Sequence, residues 1–92
     1  MLFLARMDVA FPAHLSAEEI AEYQTREREY SAVLQRRGTL RHLWRIVGEF
    51  ANHSVFEVSS HEELHRVLSE FPMFAFMRIR VTPLAQHPNA LE

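Results

Sequence analysis

Apolar residues dominate positions 2 to 10, and the run halts at Phe11-Pro12, where proline removes a backbone donor and restricts its neighbour. This predicts a first strand. Ser16 and Glu19 have the S-x-x-E spacing of a capping box, and no glycine or proline follows before Gly38, which predicts a long first helix reaching about Arg37. Two further apolar segments, 40–47 and 51–58, flank Gly48-Glu49-Phe50 and predict antiparallel second and third strands joined by a hairpin. Ser59-Ser60 precede Glu62-Glu63, and Leu64, Val67, Leu68 and Phe71 recur at helical spacing until Pro72, which predicts a shorter second helix. Residues 73–81 predict a fourth strand ended by Thr82-Pro83, leaving PLAQHPNALE as an irregular tail.

The order β-α-β-β-α-β predicts an α+β fold of the ferredoxin-like, split-βαβ kind, with two helices on one face of a four-stranded antiparallel sheet. Residues 1–92 are expected to form one domain. A domain of this size buries only about 60 to 65 % of its unfolded surface, and the uncovered sheet face needs a partner. Pairing between subunits, as in a dimeric α+β barrel, supplies both.

The first helix carries an anomaly. Ile20, Tyr23, Tyr30 and Leu34 fall on one stripe that should pack on the sheet, and Glu27 lies in the middle of it, whereas Glu18, Glu19, Glu22 and Glu29 fall toward the polar side. A carboxylate drawn out of water needs a cation or a raised pKa. Two readings follow: an ion pair with Arg6, Arg41 or Arg45 on the sheet, or a general base tuned to remove a weakly acidic proton from carbon. Arg41, His42, Arg45, Asn52, His53 and Ser54 make the second and third strands dense in polar groups, and the pleat must send some toward the helices and some away. Trp44 and the run Phe71, Met73, Phe74, Phe76, Met77 read as core and subunit interface rather than as a cofactor box.

Composition removes several function classes. The 92 residues are 48 % hydrophobic and 24 % charged, as in an ordinary folded domain, and a net charge of −2 leaves no electrostatic footprint for nucleic acid or an anionic membrane. There is no cysteine, so disulfides, thiolate metal sites and cysteine nucleophiles are excluded. The N-terminus lacks the features of a signal peptide, and no apolar run approaches the roughly 20 residues of a membrane span, so a soluble, cytoplasmic protein is expected. Of six histidines only His61 and His65 share an i, i+4 spacing, and without a third ligand they read as a solvated helix face, so no metal is expected. With Gly38 and Gly48 the only glycines, a dinucleotide fingerprint is impossible.

The segment RHLWRIVGEFANHSVFEV, residues 41–58, resembles the corresponding stretch of muconolactone isomerases, and the likeness continues through SSHEELHRVL and PLAQHP and back to the opening MLFLARMDVAFP, covering essentially the whole chain. The resemblance implies a ferredoxin-like subunit, a tight homodimer, commonly a decamer of five dimers, and no cofactor. It implies conversion of a small lactone, muconolactone, into 3-oxoadipate enol-lactone in the catechol branch of aromatic degradation. The family's catalytic glutamate matches Glu27. Gln24, Arg41, Arg45, Asn52, His53 and Ser54 become candidates for holding substrate. Gln24 stands where many members carry lysine, Phe50-Ala51-Asn52-His53-Ser54 replaces a Tyr-Ala-Asn-Tyr-Ser stretch, and Ala75-Phe76 replaces Pro-Tyr. These departures keep open a cyclase or dehalogenase built on the same glutamate and acting on a related carbonyl compound. A rival of another class is a non-catalytic ligand-binding dimer in which Glu27 is locked in an ion pair with no cavity beside it.

Overall fold

The computed structural model describes residues 1–91. Strand β1 (Leu2–Val9) leads to helix α1 (Ala17–Arg37), strands β2 (Leu40–Arg45) and β3 (Ala51–Glu57), helix α2 (His61–Ser69), a short 3-10 helix (Phe74–Phe76) and strand β4 (Met77–Leu84). The four strands form one antiparallel sheet in the order β2-β3-β1-β4. The fold is the ferredoxin-like one, with both helices on one face: Phe3, Ala5 and Met7 of β1 and Phe56 of β3 share a core with Leu34 of α1 and Leu64, Val67 and Leu68 of α2.

Local sequence sets the helix ends. Ser16 Oγ accepts the Glu19 N–H at 3.0 Å and Glu19 Oε1 accepts the Ser16 N–H at 2.8 Å, the reciprocal capping box that the spacing predicts. At the other end Gly38 takes the left-handed conformation (φ 80°) that closes the last turn. The inward stripe is as expected, with Leu34 buried and Ile20, Tyr23, Glu27 and Tyr30 half-buried. Tyr30 also donates its hydroxyl to the Val67 carbonyl at 2.7 Å, tying α1 to α2.

The fourth strand departs from expectation. It runs from Met77 to Leu84 rather than over 73–81, because the chain after Pro72 first coils into the 3-10 turn, with Phe74 N–H bonded to Phe71 O and Phe76 N–H to Met73 O, both at 2.9 Å. Phe71 and Met73 are buried in this connection, while Phe74 is exposed. Pro83 does not end the strand, since β4 lies at the sheet edge, where one side of the backbone has no ladder to lose. β2 is also shorter than 40–47: Gly48 at φ 81° turns the chain early, and Ile46 N–H already bonds Ala51 O.

A bulge between Leu40 and His42 decides which side chains of β2 face which way. Leu40 pairs with Phe56 on the helix face. One extra residue then shifts the phase, so that Leu43 and Arg45 pair with Ser54 and Asn52 on that face, while His42 and Trp44 pair with Val55 and His53 on the open one. Trp44 is accordingly 55 % exposed, its ring stacked on His42 with centroids 4.8 Å apart.

Candidate active site

Between α1 and the sheet lies a cavity of about 420 Å³ with Glu27 in its wall. The helix contributes Gln24, Glu27, Arg28 and Ser31, whose spacings of three and four put them on one flank. The sheet contributes Arg45 and Asn52, which face each other across β2 and β3. Val9, Met77 and Phe50 supply apolar walls, and Met73 comes from the connection before β4.

Glu27 Oε1 accepts the Met73 backbone N–H at 3.0 Å. Among the described residues it makes no ion pair. The sheet arginines do not answer it: Arg6 bonds Asp8 at 3.0 Å and Glu49 at 2.7 Å, Arg41 pairs with Glu57, and Arg45 makes no ion pair among the described residues, its guanidinium carbon lying 5.5 Å from the Phe50 ring centroid. Burial therefore pushes the Glu27 carboxyl above the usual carboxylate range, with the Met73 N–H partly opposing. An acceptor held in this way, beside an open cavity, has the properties of a base for carbon-bound protons.

The remaining candidates divide by sheet face. Gln24, Arg45 and Asn52 line the cavity with Glu27. Ser54 does not line it but is buried, donating Oγ to Asn52 Oδ1 at 2.7 Å and so holding the Asn52 amide in place. Arg41 and His53 lie away from it. His53 belongs to the open face, opposite Arg6 and Trp44, and its buried Nδ1 has no partner among the described residues. Arg41 sits in the bulge and reaches Glu57 on that same face. Arg28 and Ser31 are not among the residues singled out from the sequence, and Met73 is read there only as core or interface. The first two could have been found from their helical spacing to Gln24 and Glu27, whereas Met73 depends on a turn that the apolar run conceals.

A larger hollow of about 670 Å³ lies on the open face, with Arg6, Asp8, Arg78 and Arg80 among its lining residues. Its carboxylate is a poor base, because the Arg6 guanidinium holds Asp8 below the usual range. Chemistry at carbon is better served at Glu27. Among the described residues no group of three or more histidine, aspartate or glutamate side chains is placed to hold a metal ion.

Comparison with known proteins places the chain in a family. A family model described as muconolactone delta-isomerase matches residues 1–90. The chain belongs to the muconolactone delta-isomerase family. It is 47 % identical to the muconolactone delta-isomerase of Cupriavidus pinatubonensis over 91 residues, covering 99 % of each chain. It is equally similar, at 47 % over 91 residues, to muconolactone delta-isomerase 1 of Acinetobacter lwoffii, covering 99 % of this chain and 95 % of that one. A crystal structure of muconolactone isomerase superposes with a TM-score of 0.95 at 42 % identity, covering all of this chain and 96 % of the other. The isomerase family, the ferredoxin-like fold and the resemblance carried by residues 41–58 thus agree.

Proposed function

We propose that this chain isomerises muconolactone to 3-oxoadipate enol-lactone in catechol degradation, with Glu27 as both base and acid and without a cofactor. The observation that carries the reading is a half-buried carboxylate, answered by no cation, in the wall of a cavity large enough for a small lactone.

Glu27 takes the proton from the ring carbon that bears the side chain. The electron pair of that C–H bond moves through the ring double bond onto the lactone carbonyl oxygen, giving a dienolate. The same carboxyl then returns the proton to the carbon next to the carbonyl, the C=O re-forms, and no electrons are gained or lost. The two carbons are separated by one ring atom, so a single carboxyl on one face of the ring serves both. Charge develops on the carbonyl oxygen, and the amide groups of Asn52 and Gln24 are the neutral donors available to it. Arg28 and Arg45 are the cations of the cavity lining. Arg41 and His53, on the opposite face, have no part in this cavity within one subunit.

The assembly belongs to the same proposal. The open face exposes Trp44, with Leu2 at one end and Leu84 beside it, and carries the unpartnered His53 Nδ1. These features support a homodimer closed through that face, and the family resemblance supports a decamer of five such dimers. No helix among the described residues is long and apolar enough to cross a membrane, and a cytoplasmic location is the reading that fits catabolism of a small organic acid.

The test is turnover of muconolactone by the wild type and by Glu27→Gln, followed by appearance of the enol-lactone. Loss of about 10² to 10⁴-fold in kcat is expected for removal of the acid–base group. A folded wild type that leaves muconolactone untouched would overturn the substrate, and an active Glu27→Gln would overturn the mechanism.

A further inference from the structure

The charges in the cavity are unevenly placed. Among the described residues its charged lining is Glu27, Arg28 and Arg45. Glu27 is half-buried, whereas Arg28, the next residue along the helix, is exposed and lies on the flank defined by Gln24 and Ser31. The base is therefore the deeper group and the cations lie nearer the mouth. Neither arginine has a carboxylate partner among the described residues. The contact of Arg45 with the Phe50 ring, 5.5 Å from the guanidinium carbon to the ring centroid, is not an ion pair and leaves its charge without a carboxylate among the described residues. Burial, not a cation, governs Glu27, so these two arginines do not serve to neutralise it.

We infer that Arg28 selects an anionic substrate: its guanidinium, on the helix side, and that of Arg45, on the sheet side, together hold the carboxylate of a lactone acid at the mouth while the ring reaches Glu27. The inference rests on the isomerase reading above, which supplies a substrate carrying a carboxylate. A second carboxylate brought beside Glu27 would repel it and drive it toward its protonated, inactive form. Two guanidinium groups facing the substrate's carboxylate remove that penalty without touching the base, and the planar donor fork suits a carboxylate. A ring without a charged side chain gains nothing from them, so the pair discriminates between anionic and neutral lactones.

The test compares muconolactone with its neutral methyl ester in the wild type, Arg28→Gln, Arg28→Lys and, as a control for lost charge elsewhere, Arg36→Gln in the exposed last turn of α1. Arg28→Gln is expected to raise KM for the acid by about tenfold or more, as for loss of a charge-assisted pair, with kcat changed far less. KM for the ester should not follow, Arg28→Lys should recover most of the loss, and Arg36→Gln should match the wild type. Equal effects on acid and ester, or none on the acid, would overturn the inference. Should the wild type turn over neither compound, calorimetric titration with the saturated lactone acid and its methyl ester separates the two claims. Acid binding weakened about tenfold or more by Arg28→Gln, with ester binding unchanged, would leave the anion clamp standing while the isomerase reading fell. Binding that ignores Arg28, or no binding of the acid, would overturn the clamp as well.

Discussion

Replacing Glu27 with glutamine should make the protein more stable as well as inactive, and the two effects have one cause. The folded chain half-buries this carboxyl, gives it one donor in the Met73 N–H at 3.0 Å, and supplies no cation. Its pKa therefore lies above the ordinary 4.5, so the native state binds the proton more tightly than the unfolded chain does. For a carboxyl shifted upward, stability falls as pH rises through the window that opens at the ordinary value and closes at the raised one. Above it the full penalty of a buried charge is present; below it there is none. Glutamine keeps the side-chain length and an oxygen for the Met73 N–H but has no charge. Discounted for the part of the group that stays wet, the gain is up to about 1 kcal/mol above the window, a rise in Tm of about 4 to 8 °C for a domain of this size. Loss of acid–base catalysis should at the same time raise the barrier by about 3 to 5 kcal/mol. Urea unfolding of both proteins at steps from pH 4 to pH 8 measures the first effect: the curves should converge at the acid end and separate above. A variant less stable than the wild type at pH 8, or a difference independent of pH, would show that the charged carboxylate is paid back by a cation, and the argument for a poised base would fail.

Three further outcomes are expected. Tyr30→Phe removes the 2.7 Å bond to the Val67 carbonyl and should cost about 1 kcal/mol in urea unfolding while leaving turnover intact, since Tyr30 is outside the cavity. Ser54→Ala frees the Asn52 amide that Ser54 holds at 2.7 Å; a loss of about 1 to 2 kcal/mol in stability should accompany a fall in kcat larger than any change in KM, measured by steady-state kinetics. Trp44→Glu puts a charge on the open sheet face, and sedimentation velocity should show a smaller species with unchanged circular dichroism; an unchanged sedimentation coefficient would count against dimerisation through that face.

Most of the fold was legible in the sequence because its signals are local. The Ser16-Glu19 box, Gly38 after α1 and Ser60 before α2 act within one turn of themselves, and the structure shows each in place. The start of β4 was not legible, because its signal is ambiguous: residues 71–77 are uniformly apolar, and a 3-10 turn that buries Phe71 and Met73 reads like a strand. The end of β4 was misplaced for a different reason, since Pro83 stops a central strand but not an edge one, and edge position is a property of the whole sheet.

The same division runs through the site. Glu27 was visible because a lone carboxylate broke an apolar stripe, and helical periodicity needs no tertiary knowledge. The sheet residues were not separable, because alternation gives two faces without saying which is inward. On β3 the buried Phe56 settles it for Ser54 and Asn52 by counting in twos. On β2 the same count from buried Leu40 would send Trp44 inward and Arg45 outward, the reverse of what is found, because the bulge at Leu40/His42 inserts one residue into the phase. With that insertion Arg45 faces the cavity that Arg28 also lines, and Trp44 lies on the open face. The bulge only absorbs an extra residue, so deleting Arg41, which touches neither the cavity nor Glu27, makes Leu40/Phe56 and His42/Val55 successive pairs and keeps Arg45 inward and Trp44 outward. KM and the sedimentation coefficient should both stay close to wild type, and a loss of either would refute this account of the register.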